Sequence, residues 1–165
     1  MNKFMCRRYL LFCVSLFVNA LGIAFITKAA LGTSPITSVT YVLSMFTPFT
    51  IGQWTILLNL LFVILELFLM TREDLKSDLR MYLLQIPISF CFGMFIDLCM
   101  HYILFWLNLV GYVYMIVALL IGCVILAVGI ALEVKANAAM MAGEYFVKVI
   151  TRRFRGEFGY IKLGF

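Results

Sequence analysis

The chain has 165 residues, of which 65% are apolar and 13% charged, and its formal net charge is +5. Ordinary soluble domains are only about 45–50% apolar, so this composition excludes that class. Four apolar stretches account for the excess, and each reaches or approaches the ~20 residues that a helix needs to cross a bilayer: Tyr9–Ile26, Gly52–Met70, Met81–Phe105 and Val110–Leu132. Because backbone polar groups in lipid must be satisfied inside helices, we predict an all-α, polytopic membrane protein with one domain.

The first apolar stretch follows a basic leader that contains Lys3, Arg7 and Arg8. A leader of this kind is also typical of a signal peptide. However, the apolar stretch is longer than a signal peptide requires, and it runs into a segment that the chain repeats later. We therefore interpret it as a retained membrane span.

A short helix is predicted between the first two spans. Gly32 breaks the preceding helix, Ser34 is a hydroxyl N-cap, and Pro35 suits the first helical position. The segment Pro35–Phe46 would be ~18 Å long as a helix, well short of the bilayer core. This length favours a half-membrane or interfacial helix over a full span. The same argument applies to 138–151, which follows the fourth span.

The chain contains an internal repeat at the end of its first and fourth spans. The sequence Gly-Ile-Ala-Phe-Ile-Thr-Lys-Ala from Gly22 returns as Gly-Ile-Ala-Leu-Glu-Val-Lys-Ala from Gly129. We predict two units, one over about 8–106 and the other over about 110–165, with the second lacking its last span. An odd number of spans separates the two copies, so the second unit would cross the membrane in the opposite direction. Inverted repeats with short helices are a common transporter plan.

Lysine and arginine residues give the orientation of the spans. If neither short helix crosses the membrane, all of the basic residues except Lys28 lie on one side, which the positive-inside rule identifies as cytoplasmic. If both short helices cross, the charged loop with Arg72, Lys76 and Arg80 moves outside. The first arrangement fits the rule better, and it predicts a cytoplasmic N-terminus.

The motifs around the first repeat resemble those of a known family. Four segments are similar to motifs of the bacterial YczE/YyaS/YitT-type membrane proteins. They are Gly22-Ile-Ala, Lys28-Ala-Ala-Leu-Gly-Thr-Ser-Pro, Thr50-Ile-Gly-Gln-Trp and Gly93-Met-Phe-Ile-Asp. The resemblance covers most of residues 8–162 and implies a multi-pass protein of the bacterial inner membrane, without implying an activity. The chain departs from the pattern at Ala142, where repetition would place a proline.

Asp97 and His101 are the first candidate site. They are four residues apart inside the third predicted span, so they share a helix face. Ionisable residues inside spans usually face the bundle interior. The pair is either a proton relay or ligand contact, or a hydrogen-bonded link between helices. We expect Glu66, near the end of its own span, to be hydrated or paired with Arg72 or Lys76.

Lys28 and Lys135 are the second candidate, because they occupy equivalent positions in the repeat. Each either extends its ammonium to the lipid headgroups or binds an anionic group. At Lys28 the anion would lie beside the helix start at Ser34 and Pro35. Behind the second short helix, Lys148, Arg152, Arg153 and Arg155 are candidate contacts with an anionic leaflet rather than with nucleic acid.

These patterns favour a small-solute transporter or permease for an anionic or amphipathic solute or lipid headgroup. The alternative is a non-catalytic accessory or regulatory protein, acting through a homo-oligomer or a partner membrane protein. The sequence has no phosphate-binding glycine-rich loop, zinc-ligand spacing or hydrolase motif, so we predict no enzyme, metal or cofactor. The five cysteines form no Cys-x-x-Cys pair and suit small buried apolar residues.

Overall fold

The computed structural model describes residues 3–70, 72–107, 110–136 and 140–154, and every regular element within them is helical. Six helices follow one another within these described residues, and the fourth continues into a π-helical turn at Cys99–Ile103. The helices are α1 Lys3–Ala29, α2 Pro35–Phe46, α3 Ile51–Leu69, α4 Arg72–Leu98, α5 Tyr112–Ala136 and α6 Ala142–Phe154. The prediction of an all-α fold is confirmed.

Four of these helices are long and apolar enough to cross a membrane, and they coincide with the four predicted spans. Their outward surface is apolar, with large side chains such as Phe68 and Met94 exposed. The buried positions, by contrast, include polar side chains on every long helix. This distribution fits lipid as the surrounding solvent. Apolar side chains can stay exposed to lipid, whereas polar groups must be buried inside the bundle.

The ends of the helices follow local capping chemistry. The predicted helix Pro35–Phe46 is confirmed to the residue, and the Ser34 hydroxyl accepts the backbone N–H of Thr37 at 3.4 Å. The start of α3 carries a capping box, in which Thr50 and Gln53 each accept the other's backbone N–H. Helix α6 begins at Ala142, four residues after the predicted start of the second short helix.

The charged segment 71–80 was expected to be a loop, and that prediction is wrong from Arg72 onwards. Helix α4 already begins there and continues past Pro87. Glu, Lys, Leu and Arg are good helix formers, so the helix extends beyond the apolar stretch into its charged flank. At its other end, α4 continues directly into the π-helical turn, which carries His101.

Helices α1 and α5 form a close antiparallel pair. A Cβ atom added at Gly22 would lie 2.8 Å from the backbone nitrogen of Leu126, and one added at Gly129 would lie 2.9 Å from that of Asn19. An added Cβ at Gly122 would lie 3.0 Å from the backbone nitrogen of Ile26. Later residues of α1 thus contact earlier residues of α5. Glycine permits this approach, as small residues do in other membrane helix pairs.

Helices α3 and α4 form a second antiparallel pair that packs against α1 through α4. The Tyr82 hydroxyl donates to the Val63 carbonyl at 3.2 Å near one end of the pair, while Gly52 and Gly93 meet near the other. Phe17 of α1 and Phe95 of α4 contact edge to face, with ring centroids 5.6 Å apart. The short helices add to this bundle, since both α2 and α6 pack on α3.

Candidate functional site

A pocket of about 370 Å³ opens at the end of the bundle where α1 and α2 finish and α3 begins. It brings together Lys28, Asp97 and His101, three of the residues that the sequence singled out. Its remaining polar lining comes from Ser44 at the end of α2 and from Thr47 and Thr50 in the connection to α3. Phe49, Met100 and Phe105 supply apolar surface. A mostly apolar cleft with a few convergent polar groups is the usual form of a small-molecule site.

The Asp97 carboxylate caps the first turn of α3. Its Oδ1 accepts the backbone N–H of Gly52 at 2.9 Å, and its Oδ2 accepts the Thr50 hydroxyl at 2.6 Å. A carboxylate at a helix N-terminus is favourable because it satisfies otherwise unpaired N–H groups and faces the positive end of the helix dipole. Asp97 of α4 therefore stabilises the start of α3. Its role as a ligand contact or proton relay stays a prediction.

Two glycines make this contact possible. A Cβ added at Gly52 would overlap the Gly93 carbonyl oxygen and lie 2.5 Å from Asp97 Cγ, and one added at Gly93 would lie 2.6 Å from the Gly52 carbonyl oxygen. The two backbones therefore touch one helical turn before Asp97. The spacing of Gly93 and Asp97 follows from this contact, because the glycine brings the backbones together and the aspartate reaches the adjoining helix start.

The wall above α3 is stiffened by an aromatic contact. Trp54 donates its indole N–H to the Thr47 hydroxyl at 2.7 Å, and its ring meets Phe49 edge to face with centroids 5.9 Å apart. Together with the capping box at Thr50, these contacts fix the connection between α2 and α3.

Lys28 lies in the last turn of α1, where a basic side chain complements the negative end of the helix dipole. It is half-buried, lines the pocket, and forms no ion pair with any residue that the structure describes. Its ammonium is thus placed to meet a group inside the pocket. His101 lies opposite, on the π-helical turn, and is exposed.

Ser34 and Pro35 occupy the far end of α2 from the part that lines the pocket. The pocket takes Ser44 from the C-terminal half of α2, and a 12-residue helix separates the two ends by ~18 Å. The structure therefore places Lys28 beside the C-terminal end of α2 in this pocket. A joint anion site of Lys28 with the helix start stays a prediction.

The other predicted site residues lie elsewhere. Lys135 is exposed in the last turn of α5, whereas Glu133, two residues earlier, is buried and accepts the Asn19 side-chain amide at 2.9 Å. On α6, the ammonium of Lys148 lies 5.5 Å from the centre of the Tyr145 ring, a cation–π contact. The backbones of Arg152 and Arg153 belong to α6, but their side chains fall outside the described part, as does all of Arg155.

Sequence reasoning missed two features of this region. Thr50 was noted only as part of a motif, although a threonine followed three residues later by glutamine is the signature of a capping box. Glu66 was expected to be hydrated or paired with a basic residue, and the expectation of hydration is wrong. Its exposed fraction is 0%, because α4 covers that face of α3 and Gln85 is its polar neighbour.

Comparison with known proteins identifies a family for this chain but assigns it no activity. No curated protein and no solved structure matches the chain. The resemblance to the YczE/YyaS/YitT-type proteins therefore stays a prediction that rests on its short motifs. A family model does match residues 6–165. The chain belongs to the family of unknown function DUF6198.

Proposed function

We propose that this integral membrane protein is a permease-like transporter of a small polar solute, without catalytic activity. The observation that carries the proposal is the pocket in which Lys28, Asp97 and His101 converge. Ionisable residues that line a cavity between apolar helices commonly mark a substrate or ion pathway. The positive-inside count favours a cytoplasmic N-terminus and an outward-facing pocket, and the family resemblance favours the bacterial inner membrane.

An inverted repeat supports this proposal. An offset of 107 residues relates the two copies, so it converts Gly22 into Gly129 and Asn19 into position 126. The offset therefore converts the close contact of Gly22 with Leu126 into the close contact of Gly129 with Asn19. A pair of contacts that a sequence offset exchanges in this way is what a two-fold axis between antiparallel copies would produce. Many transporters place their site near such an axis.

The short helices support the same symmetry. A Cβ atom added at Gly143, near the start of α6, would lie 3.4 Å from Ile36 Cδ1, near the start of α2. These two residues are also 107 positions apart. Helices α1 and α5 run antiparallel, so the segments that follow them leave opposite ends of the pair. For α2 and α6 to meet at their N-termini, both must turn back into the bundle as half-membrane helices.

The pocket chemistry narrows the solute class. Lys28 offers an ammonium to an anionic group, while the Asp97 carboxylate adds negative charge to the adjoining wall. A solute that carries an anionic group together with a hydrogen-bond donor or cation matches both walls better than a simple anion does. The apolar surface of Phe49, Met100 and Phe105 accommodates a short hydrocarbon portion.

An unbiased metabolite comparison tests the proposal. Cells that lack the protein and cells that overexpress it should differ in the uptake or export of one class of small polar solutes, and Lys28→Gln should reduce that difference. If no solute class changes, or if Lys28→Gln behaves as the wild type, the transport proposal fails.

The structural use of Asp97 favours the alternative of an accessory protein, because a carboxylate occupied in capping α3 is not free for a solute. That alternative predicts a partner membrane protein, or a second copy of the chain, that co-purifies from mild detergent in fixed proportion. It also predicts that, in cells without the partner, deletion or overexpression of this protein does not change solute levels.

A further inference from the structure

Two fully buried polar side chains face each other between α3 and α4, on the part of α3 remote from the pocket. Glu66 has an exposed fraction of 0% and Gln85 of 1%. Gln85 is the polar neighbour of the Glu66 carboxylate, although no hydrogen bond of ordinary geometry joins them. Neither residue lines the pocket around Lys28, so they form a separate site.

Among the residues that the structure describes, the polar atoms of this pair have no hydrogen-bond partner. Both carboxylate oxygens of Glu66 and both polar atoms of the Gln85 amide lack a hydrogen bond. Nearly all buried polar groups in proteins are hydrogen-bonded, so four unpaired atoms in one place require an explanation. The contrast with Glu133 is direct, because that buried carboxylate accepts the side-chain amide of Asn19.

The helices packed on α3 bring no described cation to Glu66. Among the α4 side chains that the structure describes, the Tyr82 hydroxyl is the nearby titratable group, and it donates to the Val63 carbonyl. The titratable groups described on α2 and α6 are these: Tyr41, Glu144, Tyr145 and Lys148. The ammonium of Lys148 lies over the Tyr145 ring, and α6 meets α3 near this level through Phe146, which stacks on Phe62 at 5.3 Å.

We propose that Glu66 and Gln85 form a proton-binding site. A proton from water adds to one carboxylate oxygen of Glu66, which becomes an O–H donor, and the Gln85 side-chain oxygen accepts its hydrogen bond. The pair is then neutral and its unpaired atoms fall from four to two. On release the proton returns to water, and the Gln85 amide N–H groups face the carboxylate instead.

Burial selects the proton as the ligand. A carboxylate without a partner is very unfavourable away from water, and neutralisation is the usual outcome. At 0% and 1% exposure, a proton is also the one ligand that needs no added room. The site does not depend on the proposed transport function.

Infrared difference spectroscopy tests the proposal without knowledge of any solute. The full chain is reconstituted in phosphatidylcholine vesicles, and spectra are recorded as the pH is lowered stepwise. Besides the C=O band of the solvent-exposed carboxyls, a separate band of a protonated carboxyl shielded from water should appear for the wild type, be absent in Glu66→Gln and persist in Glu133→Gln. Glu133→Gln is the matched control, since it removes another buried carboxylate of the same length. A full band in Glu66→Gln overturns the proposal.

A second variant covers a failure of Glu66→Gln to fold, which size-exclusion chromatography would reveal. Gln85→Leu keeps the carboxyl but removes its proposed hydrogen-bond partner, so the C=O band should shift in frequency. ¹³C labelling of glutamate identifies the band as a glutamate band in the wild type and in this variant. An unshifted band in Gln85→Leu refutes the pairing of the two residues.

Discussion

Asp97, near the end of α4, accepts the backbone N–H of Gly52 at 2.9 Å and so caps the helix that antiparallel packing brings to it. The contact joins two motifs that lie 45 residues apart, and it exists because Gly93 lets the backbones touch one turn earlier. An intramembrane carboxylate is therefore tied to the architecture of the α3–α4 pair as well as to the pocket. Several consequences can be measured.

Removing the cap should destabilise the protein. We expect Asp97→Leu to lower the free energy of unfolding by about 1–3 kcal/mol, because the Gly52 N–H and the Thr50 hydroxyl lose their acceptor. Asp97→Asn keeps one oxygen for Gly52 and should retain most of the stability. Thermal unfolding in detergent measures both, with Met94→Leu on the exposed face of α4 as the control. Unchanged stability in Asp97→Leu would refute the capping role.

The glycine contact gives a sharper prediction. Gly93→Ala and Gly52→Ala should each destabilise the protein by about 1–3 kcal/mol, since the added methyl group meets backbone atoms that cannot move aside. Gly143→Ala is the matched control, because its methyl group would lie 3.4 Å from the end of the Ile36 side chain. The unfolding midpoints should fall for the first two variants only. Equal midpoints for all three would contradict the close approach.

Variants of Lys28 and Lys135 distinguish a role of the pocket from a role of the repeat. Both lysines occupy equivalent positions in the repeat, but only Lys28 lines the pocket. If the pocket binds the solute, Lys28→Gln should weaken binding of an anionic solute about tenfold or more, the loss of a charged hydrogen bond of ~1.5–3 kcal/mol. Lys135→Gln should leave binding unchanged, since Lys135 is exposed and does not line the pocket. Binding to purified protein, by calorimetry with the solute from the metabolite comparison, decides this. Equal losses in both variants would indicate a shared electrostatic effect.

The orientation of the spans is testable without any ligand. In a cysteine-free background, a cysteine at Trp106, which is 75% exposed just beyond the π-helical turn, should react with an impermeant thiol reagent added outside intact cells. A cysteine at Ser77 should react only after the cells are opened, because the positive-inside count places that segment in the cytoplasm. The opposite labelling pattern would exclude this orientation.

The spans and α2 could be predicted from the sequence, because length, hydropathy and capping residues are local properties. The extra turns of α4 were not predicted, since charged helix formers between apolar stretches look like a loop when only hydropathy is considered. The burial of Glu66 and the capping by Asp97 depend on which residues of another helix lie opposite. That information arises from packing between helices, and a single helix does not carry it. The spacing of Gly93 and Asp97 could be read from the sequence, but the hydrogen bond between Asp97 and Thr50 could not.

The glycine contacts between α1 and α5 have a mechanical consequence. Backbones that meet through Gly22, Gly122 and Gly129 leave no layer of flexible side chains in which one helix could slide against the other. We expect these two helices to behave as a fixed frame. We expect movement within the bundle to come instead from the α3–α4 pair, whose contact with that frame is made through larger side chains such as Phe17 and Phe95.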